Sequence, residues 1–126
     1  MRGIVATCTA AVLMATAACG TSASKADNDA LCSALSRELT GAGLAGTPTR
    51  AQAVATANRL DAHVRQVADS RLHDAVVRLH QDLHDIDVAW RRRGPADVTR
   101  AAERARADAR RAARACGLGS DAFLTS

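Results

Sequence analysis

Residues 71–116 read RLHDAVVRLHQDLHDIDVAWRRRGPADVTRAAERARADARRAARAC, and this stretch decides the fold. In its first half, apolar residues recur at steps of three and four, the period of one face of an α-helix. That face is formed by Leu72, Val76, Leu79, Leu83, Ile86 and Trp90. Gly94-Pro95 then ends one helix and begins the next, because glycine suits the left-handed position after a helix and proline suits a first turn. The stretch therefore predicts two consecutive helices, over about 70–93 and 95–116.

Small residues line one side of the last predicted helix, which allows a neighbouring helix to approach closely. They are Val98, Ala102, Ala105, Ala109, Ala112 and Cys116. After this helix, Gly117-Leu118 predicts a Schellman ending. Phe123-Leu124 is expected either to fold back over the core or to fray.

Two shorter helices are predicted upstream. The first covers about 29–42 and ends in Gly41 and Gly43. Its apolar face is formed by Leu31, Leu35 and Leu39. The second begins at Thr47-Pro48, a cap followed by proline at the first helical position. Its seam is formed by Ala53, Ala57, Leu60, Val64 and Val67.

The second and third helices are predicted to be separate. The apolar seam slips by one residue between Val67 and Leu72. Asp69 or Ser70, at the slip, suits the N-cap of a new helix. The alternative is one long kinked helix.

Two cysteines bear on the number of helices. In an up-down bundle of four, the start of the first helix and the end of the last lie at the same end, which brings Cys32 near Cys116. In a bundle of three these points lie at opposite ends, and a disulfide needs Cα atoms within about 7 Å. We therefore predict an all-α, up-down four-helix bundle closed by a Cys32–Cys116 disulfide. A three-helix bundle with a long kinked middle helix is the alternative.

Residues 1–18 have the layout of a secretory signal peptide. One positive charge at Arg2 precedes an uncharged stretch that ends in small residues. That stretch is shorter than the roughly 20 apolar residues of a membrane-spanning helix. Cleavage is therefore favoured over a permanent transmembrane anchor.

The end of this leader, LMATAACG at residues 13–20, resembles the lipobox of bacterial lipoproteins, in which a cysteine is acylated and becomes the new N-terminus. The resemblance implies a covalent lipid on Cys19. Lipoboxes usually carry an aliphatic residue three positions before the cysteine, and this chain has Thr16 there. Ordinary cleavage after the A-x-A motif at residues 15–17 is therefore the alternative.

The cysteine count agrees with lipidation. Cys8 leaves with the leader, and Cys19, Cys32 and Cys116 remain in an oxidising compartment, where an odd count leaves one thiol without a partner. With a lipid on Cys19, one even pair is left.

The whole chain resembles the small Ala- and Arg-rich lipoproteins of high-GC Gram-positive bacteria. The resemblance implies a location at the outer face of the cytoplasmic membrane and carries over no binding residues. We expect a signal peptide over 1–18, a lipidated N-terminus and flexible tether over 19–28, and a helical bundle domain over 29–126.

Three histidines fall in a narrow arc of the third predicted helix. His73, His80 and His84 are spaced by seven and four residues, and His80/His84 has the spacing of a metal-binding helical pair. A third ligand could come from His73 or from His63. The alternative is that these are solvated or boundary histidines, since no glutamate is placed as in H-E-x-x-H.

The charges are unevenly distributed along the chain. Residues 91–116 hold nine arginines against three acidic residues, a local balance of +6, whereas residues 61–90 have a balance of −3. The simplest use of this asymmetry is attraction between neighbouring helices. The alternative is binding of an anionic envelope polymer or phospholipid head groups through Arg104, Arg106 and Arg110.

The sequence indicates no enzyme and no cofactor besides the lipid. The acidic residues are predicted to pair locally, as Asp61–Arg65, Asp74–Arg78 and Asp87–Arg91. Nucleic acid is not expected as a partner of an exported chain without stacking aromatics beside its arginines. The leading hypothesis is a non-catalytic, membrane-tethered module that contacts another envelope protein through an incompletely covered helix seam. The alternatives are a metal or haem carrier and a polyanion binder.

Overall fold

The computed structural model describes residues 23–125, so the predicted leader and the predicted lipidation residue Cys19 lie outside the described part. Within it, four α-helices pack as a helical bundle, and no strand is formed. The helices are α1 (Lys25–Glu38), α2 (Arg50–Leu60), α3 (Ser70–Arg92) and α4 (Pro95–Ala115), with a 3-10 turn at His63–Arg65. The all-α prediction with four helices is confirmed.

Helix α1 begins earlier than predicted. The Ser24 hydroxyl accepts a hydrogen bond from the Asp27 amide, and the Asp27 carboxylate accepts one from the Ser24 amide, each at 3.0 Å. This reciprocal capping box satisfies amides that no helix carbonyl can reach. The predicted bounds of 29–42 were therefore wrong at both ends, and residues 25–28 are helical instead of belonging to a tether.

Helix α2 is capped by Thr49, so the predicted start at Thr47-Pro48 was wrong. The Gln52 amide donates to the Thr49 hydroxyl at 3.0 Å, and the Gln52 side chain accepts from the Thr49 amide at 2.9 Å. The helix ends at Leu60. The apolar seam predicted for this helix therefore does not continue beyond Leu60. Val67, its last predicted member, is 57% exposed.

The break between α2 and α3 lies where the seam slips. The Asp69 carboxylate caps α3 by accepting a hydrogen bond from the Leu72 amide at 3.0 Å. Separate helices are confirmed, and the alternative of one long kinked helix is wrong. Trp90, predicted on the buried seam, is 45% exposed, because it lies in the last turn and its indole N–H donates to the Pro48 carbonyl at 3.0 Å.

Helices α3 and α4 form the most extensive helix pair. Pro95 occupies the first turn of α4 as predicted. The leucine-rich face of α3 packs against the small residues of α4, and both are almost fully buried. This close packing positions the side chains that flank the α3–α4 interface.

The chain turns back over the core after α4. Leu118 donates its amide to the Ala113 carbonyl and Gly117 to the Arg114 carbonyl, both at 2.9 Å, which is the predicted Schellman motif. Phe123 is 2% exposed and therefore packs in the core instead of fraying.

Two links tie α1 to the start of α3 and to the end of α4 at one end of the bundle. The predicted disulfide is confirmed: Cys32 in α1 is bonded to Cys116 at the end of α4, with Cα atoms 5.8 Å apart. Near the start of α1, the Asn28 amide group donates to the Asp69 carboxylate at 3.0 Å, and the Asp69 amide donates back to Asn28 at 2.9 Å. We call this end, where α1 and α3 begin and α4 ends, the disulfide end. None of the helices in residues 23–125 is long and apolar enough to cross a membrane.

Candidate anion-binding cleft

The histidine arc forms one close pair. The rings of His80 and His84 meet edge to face, with centroids 4.7 Å apart. The Nε2 atom of His80 lies 3.4 Å from the Asp61 carboxylate. Over residues 23–125, no group of three or more His, Cys, Asp or Glu side chains is arranged to hold a metal ion. The described residues therefore provide no complete set of metal ligands. His73 does not join His80 and His84 as a third ligand.

Two histidines differ in their surroundings. Burial, followed by the nearby His84, lowers the pKa of His80, and this outweighs the opposing effect of Asp61. The ring of His63 has both nitrogens occupied: Nδ1 lies 2.5 Å from the Gln66 side-chain oxygen and Nε2 lies 2.9 Å from the Glu38 carboxylate. His63 therefore connects α1 to the 3-10 turn.

The three arginines that the sequence suggested for polyanion binding do not form one surface. Arg104 lies 3.8 and 3.9 Å from two aspartates of α3, so it takes part in the predicted attraction between these helices. Arg106 donates to the carbonyls of Leu44 and Gly46 at 3.0 and 2.6 Å. Arg110 pairs with Asp121 at 2.9 Å. Each has a partner within the chain, and Arg106 holds the loop before α2.

Four other arginines line a cleft between the first half of α3 and the last turns of α4. We call it the arginine cleft. Its volume is about 350 Å³, and its floor contains Ala75 and Ala115. Its charged lining consists of Arg71, Asp74, Arg78, Arg111 and Arg114. Four guanidinium groups against one carboxylate leave a local charge of +3, which favours an anionic ligand.

The arginines of the cleft are only partly engaged. Arg111 bonds to the Asp108 carboxylate at 3.0 Å, and Arg114 lies 3.4 Å from the Ser120 hydroxyl. The guanidinium groups of Arg71 and Arg78 make no hydrogen bond or ion pair inside the described range. The predicted Asp74–Arg78 pair is therefore wrong, whereas the Asp61–Arg65 and Asp87–Arg91 pairs are confirmed at 3.7 and 3.3 Å.

A second cleft lies on the same side of the α3–α4 pair, towards the other end. It is about 210 Å³ in volume, and its charged lining consists of Asp85, Arg93, Asp97, Arg100 and Arg104. Here Arg100 is bonded to Asp97, and Arg104 lies 3.8 Å from Asp85. The charges of this second cleft are largely matched internally, so the arginine cleft is the stronger candidate for a ligand.

Two buried aspartates lie between these clefts. Asp82 and Asp108 are 6% and 7% exposed. Burial, followed by a side-chain hydrogen bond to Asp108, raises the pKa of Asp82 to about 8. The pair therefore retains a proton at neutral pH, which removes one negative charge from the wall next to the arginine cleft.

The arginine cleft was not predicted from the sequence. Its signal was the spacing of Arg71 and Arg78, seven residues apart on one helix, and of Arg111 and Arg114, three apart on the next. Spacing alone does not show that the two pairs face the same groove.

Comparison of the chain with protein-family models, with curated proteins and with solved structures found no match.

Proposed function

We propose that this protein is a lipid-anchored, extracytoplasmic helical domain that acts as a non-catalytic interaction module in the cell envelope. The observation that carries the proposal is the Cys32–Cys116 disulfide. Such bonds persist in oxidising compartments and are rare in the cytosol. Export is therefore consistent with the signal-peptide layout of residues 1–18.

The disulfide also supports lipidation of Cys19. It uses both cysteines of the described part, so Cys19 is the one that remains after the leader is removed. In the lipobox-like stretch it occupies the position of the acylated residue. Diacylation at this site makes anchoring stable, because two acyl chains exceed the marginal binding of one.

We further propose the up-down arrangement of the four helices. The disulfide end joins the starts of α1 and α3 to the end of α4. At the other end, Arg50 in the first turn of α2 pairs with Asp87 of α3 at 2.7 Å. Consecutive helices that alternate in direction satisfy both sets of links.

The interaction role is supported by the distribution of apolar and charged groups. The seam of α3 from Leu72 to Ile86 is buried, so it offers no open surface for the contact with an envelope protein that the sequence suggested. The exposed apolar side chains, such as Val67 and Trp90, are scattered, whereas charged side chains line two clefts beside α4. This favours a partner recognised through charge over one recognised through a hydrophobic groove.

The test is the intact mass of the chain extracted from membranes of a bacterial host. We expect loss of residues 1–18, a mass increase of at least two acyl chains and loss of two hydrogens for the disulfide. Cys19→Ser should abolish both acylation and cleavage of the leader before residue 19. Cys8→Ser, within the predicted leader, should change neither. An unacylated product cleaved after Ala17 would overturn the lipid anchor and leave a secreted domain.

A further inference from the structure

The arginine cleft lies at the end of the bundle where the chain arrives from the proposed lipid anchor. Asn28 in α1 is hydrogen-bonded to Asp69, the residue that caps α3. Arg71 follows two residues later in the first turn of α3, and Arg114 lies in the last turn of α4, just before the disulfide-bonded Cys116. The cleft and the chain's arrival point are therefore neighbours at the disulfide end.

The distance from the anchor to this end is bounded by the length of the chain. Five residue steps separate Cys19 from Ser24, the cap of α1. Since an extended chain spans at most about 3.6 Å per residue, a lipid on Cys19 holds Ser24 within about 18 Å of the bilayer surface. Anchoring thus keeps the disulfide end close to the phospholipid head groups.

We infer that the arginine cleft binds the phosphate groups of anionic phospholipids in the membrane that carries the anchor. This inference rests on the proposed lipidation of Cys19. Guanidinium groups form paired hydrogen bonds with phosphate oxygens. Arg71 and Arg78 offer unbonded guanidinium groups, and the floor of alanines leaves room for a head group in about 350 Å³.

The wall of the cleft is suited to an anion. Arg111 is held in place by its 3.0 Å bond to Asp108, so its position is set before a ligand arrives. The proton retained by the Asp82–Asp108 pair lowers the opposing negative charge. Asp74 is the single carboxylate of the lining and makes no ion pair with its neighbours Arg71 and Arg78.

The test uses the full chain as isolated from membranes, reconstituted in nanodiscs of phosphatidylcholine alone or with one third phosphatidylglycerol. Phenylglyoxal modifies accessible arginines, and peptide mass spectrometry reports the rate at each position. We expect the arginines of the cleft to react at least threefold more slowly in the anionic nanodiscs, with the protection lost at high salt. Arg92 and Arg93, at the other end of α3, should react equally in both.

Two outcomes would overturn the inference. One is equal modification of the cleft arginines in neutral and anionic nanodiscs. The other is equal protection by inorganic phosphate in neutral nanodiscs, which would make the cleft a site for soluble anions.

A matched pair of variants separates this inference from the proposed anchor. Intact mass on the same preparation reports acylation, so an unacylated chain would overturn the anchor alone. The cleft would then be judged by co-sedimentation of that chain with phosphatidylglycerol vesicles. We expect Arg71→Gln/Arg78→Gln to reduce co-sedimentation severalfold and Arg92→Gln/Arg93→Gln, with the same change in charge, to leave it near the wild-type level. Equal behaviour of the two variants would overturn the inference.

Discussion

The carboxyl groups of Asp82 and Asp108 face each other across the interface of α3 and α4, and both side chains are almost fully buried. The Oδ2 atom of Asp82 has no protein donor within reach. A proton on one carboxyl supplies the missing donor, because two ionised carboxylates in contact repel each other and are poorly solvated. This protonated pair makes the stability of the fold depend on pH.

Asp82→Asn tests that dependence. The folded-state pKa of Asp82, about 8, lies above the ordinary value of 3.8, so the stabilising neutral form is fully present below about pH 4 and is lost as pH rises through about 8. In Asp82→Asn the amide donates to Asp108 at every pH. As the pH rises from about 5 to about 8, we expect the wild type to lose about 2 to 4 kcal/mol of its free energy of unfolding relative to Asp82→Asn. Urea denaturation at each pH measures this difference.

Asp85→Asn is the control for this change on the same helix. Its carboxylate is 38% exposed and is the smallest of the causes that raise the pKa of Asp82, so the variant should retain most of the pH slope of the wild type. An Asp82→Asn slope equal to that of the wild type would contradict the protonated pair.

Arg106 is expected to stabilise the folded chain and not to bind a polyanion. Its guanidinium donates to two loop carbonyls, those of Leu44 and Gly46. Arg106→Ala removes both bonds and should lower the free energy of unfolding by about 2 kcal/mol, measured by chemical denaturation. Arg104→Ala, which loses only long ion pairs at an exposed side chain, should cost less than about 1 kcal/mol. Similar costs for the two variants would remove the structural role.

The disulfide should be the largest single contribution to stability. Its cysteines are 84 residues apart, and closing so long a loop contributes about 4 to 5 kcal/mol through the entropy of the unfolded chain. Cys32→Ser/Cys116→Ser should therefore lower the thermal midpoint steeply, and reduction of the wild type should have the same effect. Cys8→Ser, in the predicted leader, is the control and should leave the midpoint unchanged. A reduced chain as stable as the oxidised one would contradict this expectation.

Gly43 is expected to tolerate a side chain less well than Gly41. Its φ is +77°, and a Cβ atom there would lie 2.6 Å from the Gln52 side-chain oxygen that caps α2. Gly41 has the same φ with open space around it. We expect Gly41→Ala to cost about 1 kcal/mol through backbone strain, and Gly43→Ala about 1 kcal/mol more through displacement of the cap. Equal thermal midpoints for the two variants would show that Gln52 moves aside without loss.

A zinc titration tests the remaining alternative function, that of a metal carrier. The His80/His84 pair lacks a further ligand arranged to complete a site. We therefore expect zinc to bind wild type no more tightly than the His73→Ala/His80→Ala/His84→Ala variant in calorimetric titration. Tighter binding to wild type would favour the metal-carrier hypothesis.

Helices with strong local signals were predictable to within a residue or two. The seam of α3, the cap at Asp69, the break at Gly94-Pro95 and the Schellman motif after α4 all depend on contacts between residues close in sequence. The starts of α1 and α2 were misplaced because reciprocal capping boxes at Ser24 and Thr49, and not the residues the sequence favoured, begin these helices. Trp90 was assigned to the core because its spacing matched the seam, although the helix ends beside it.

The amino-acid sequence by itself determined the helical class, the boundaries of α3 and α4, and the cysteine pair. Helical period and capping depend on residues close in sequence, and few pairings are open to the cysteines. Only the tertiary structure decided which arginines are bonded within the chain and which are left facing a cleft. Arg106 reaches carbonyls about 60 positions away, whereas Arg71 and Arg78 reach no acceptor in the described residues. That difference depends on how α3 and α4 lie side by side and where the loop before α2 rests, and no spacing along one helix encodes either.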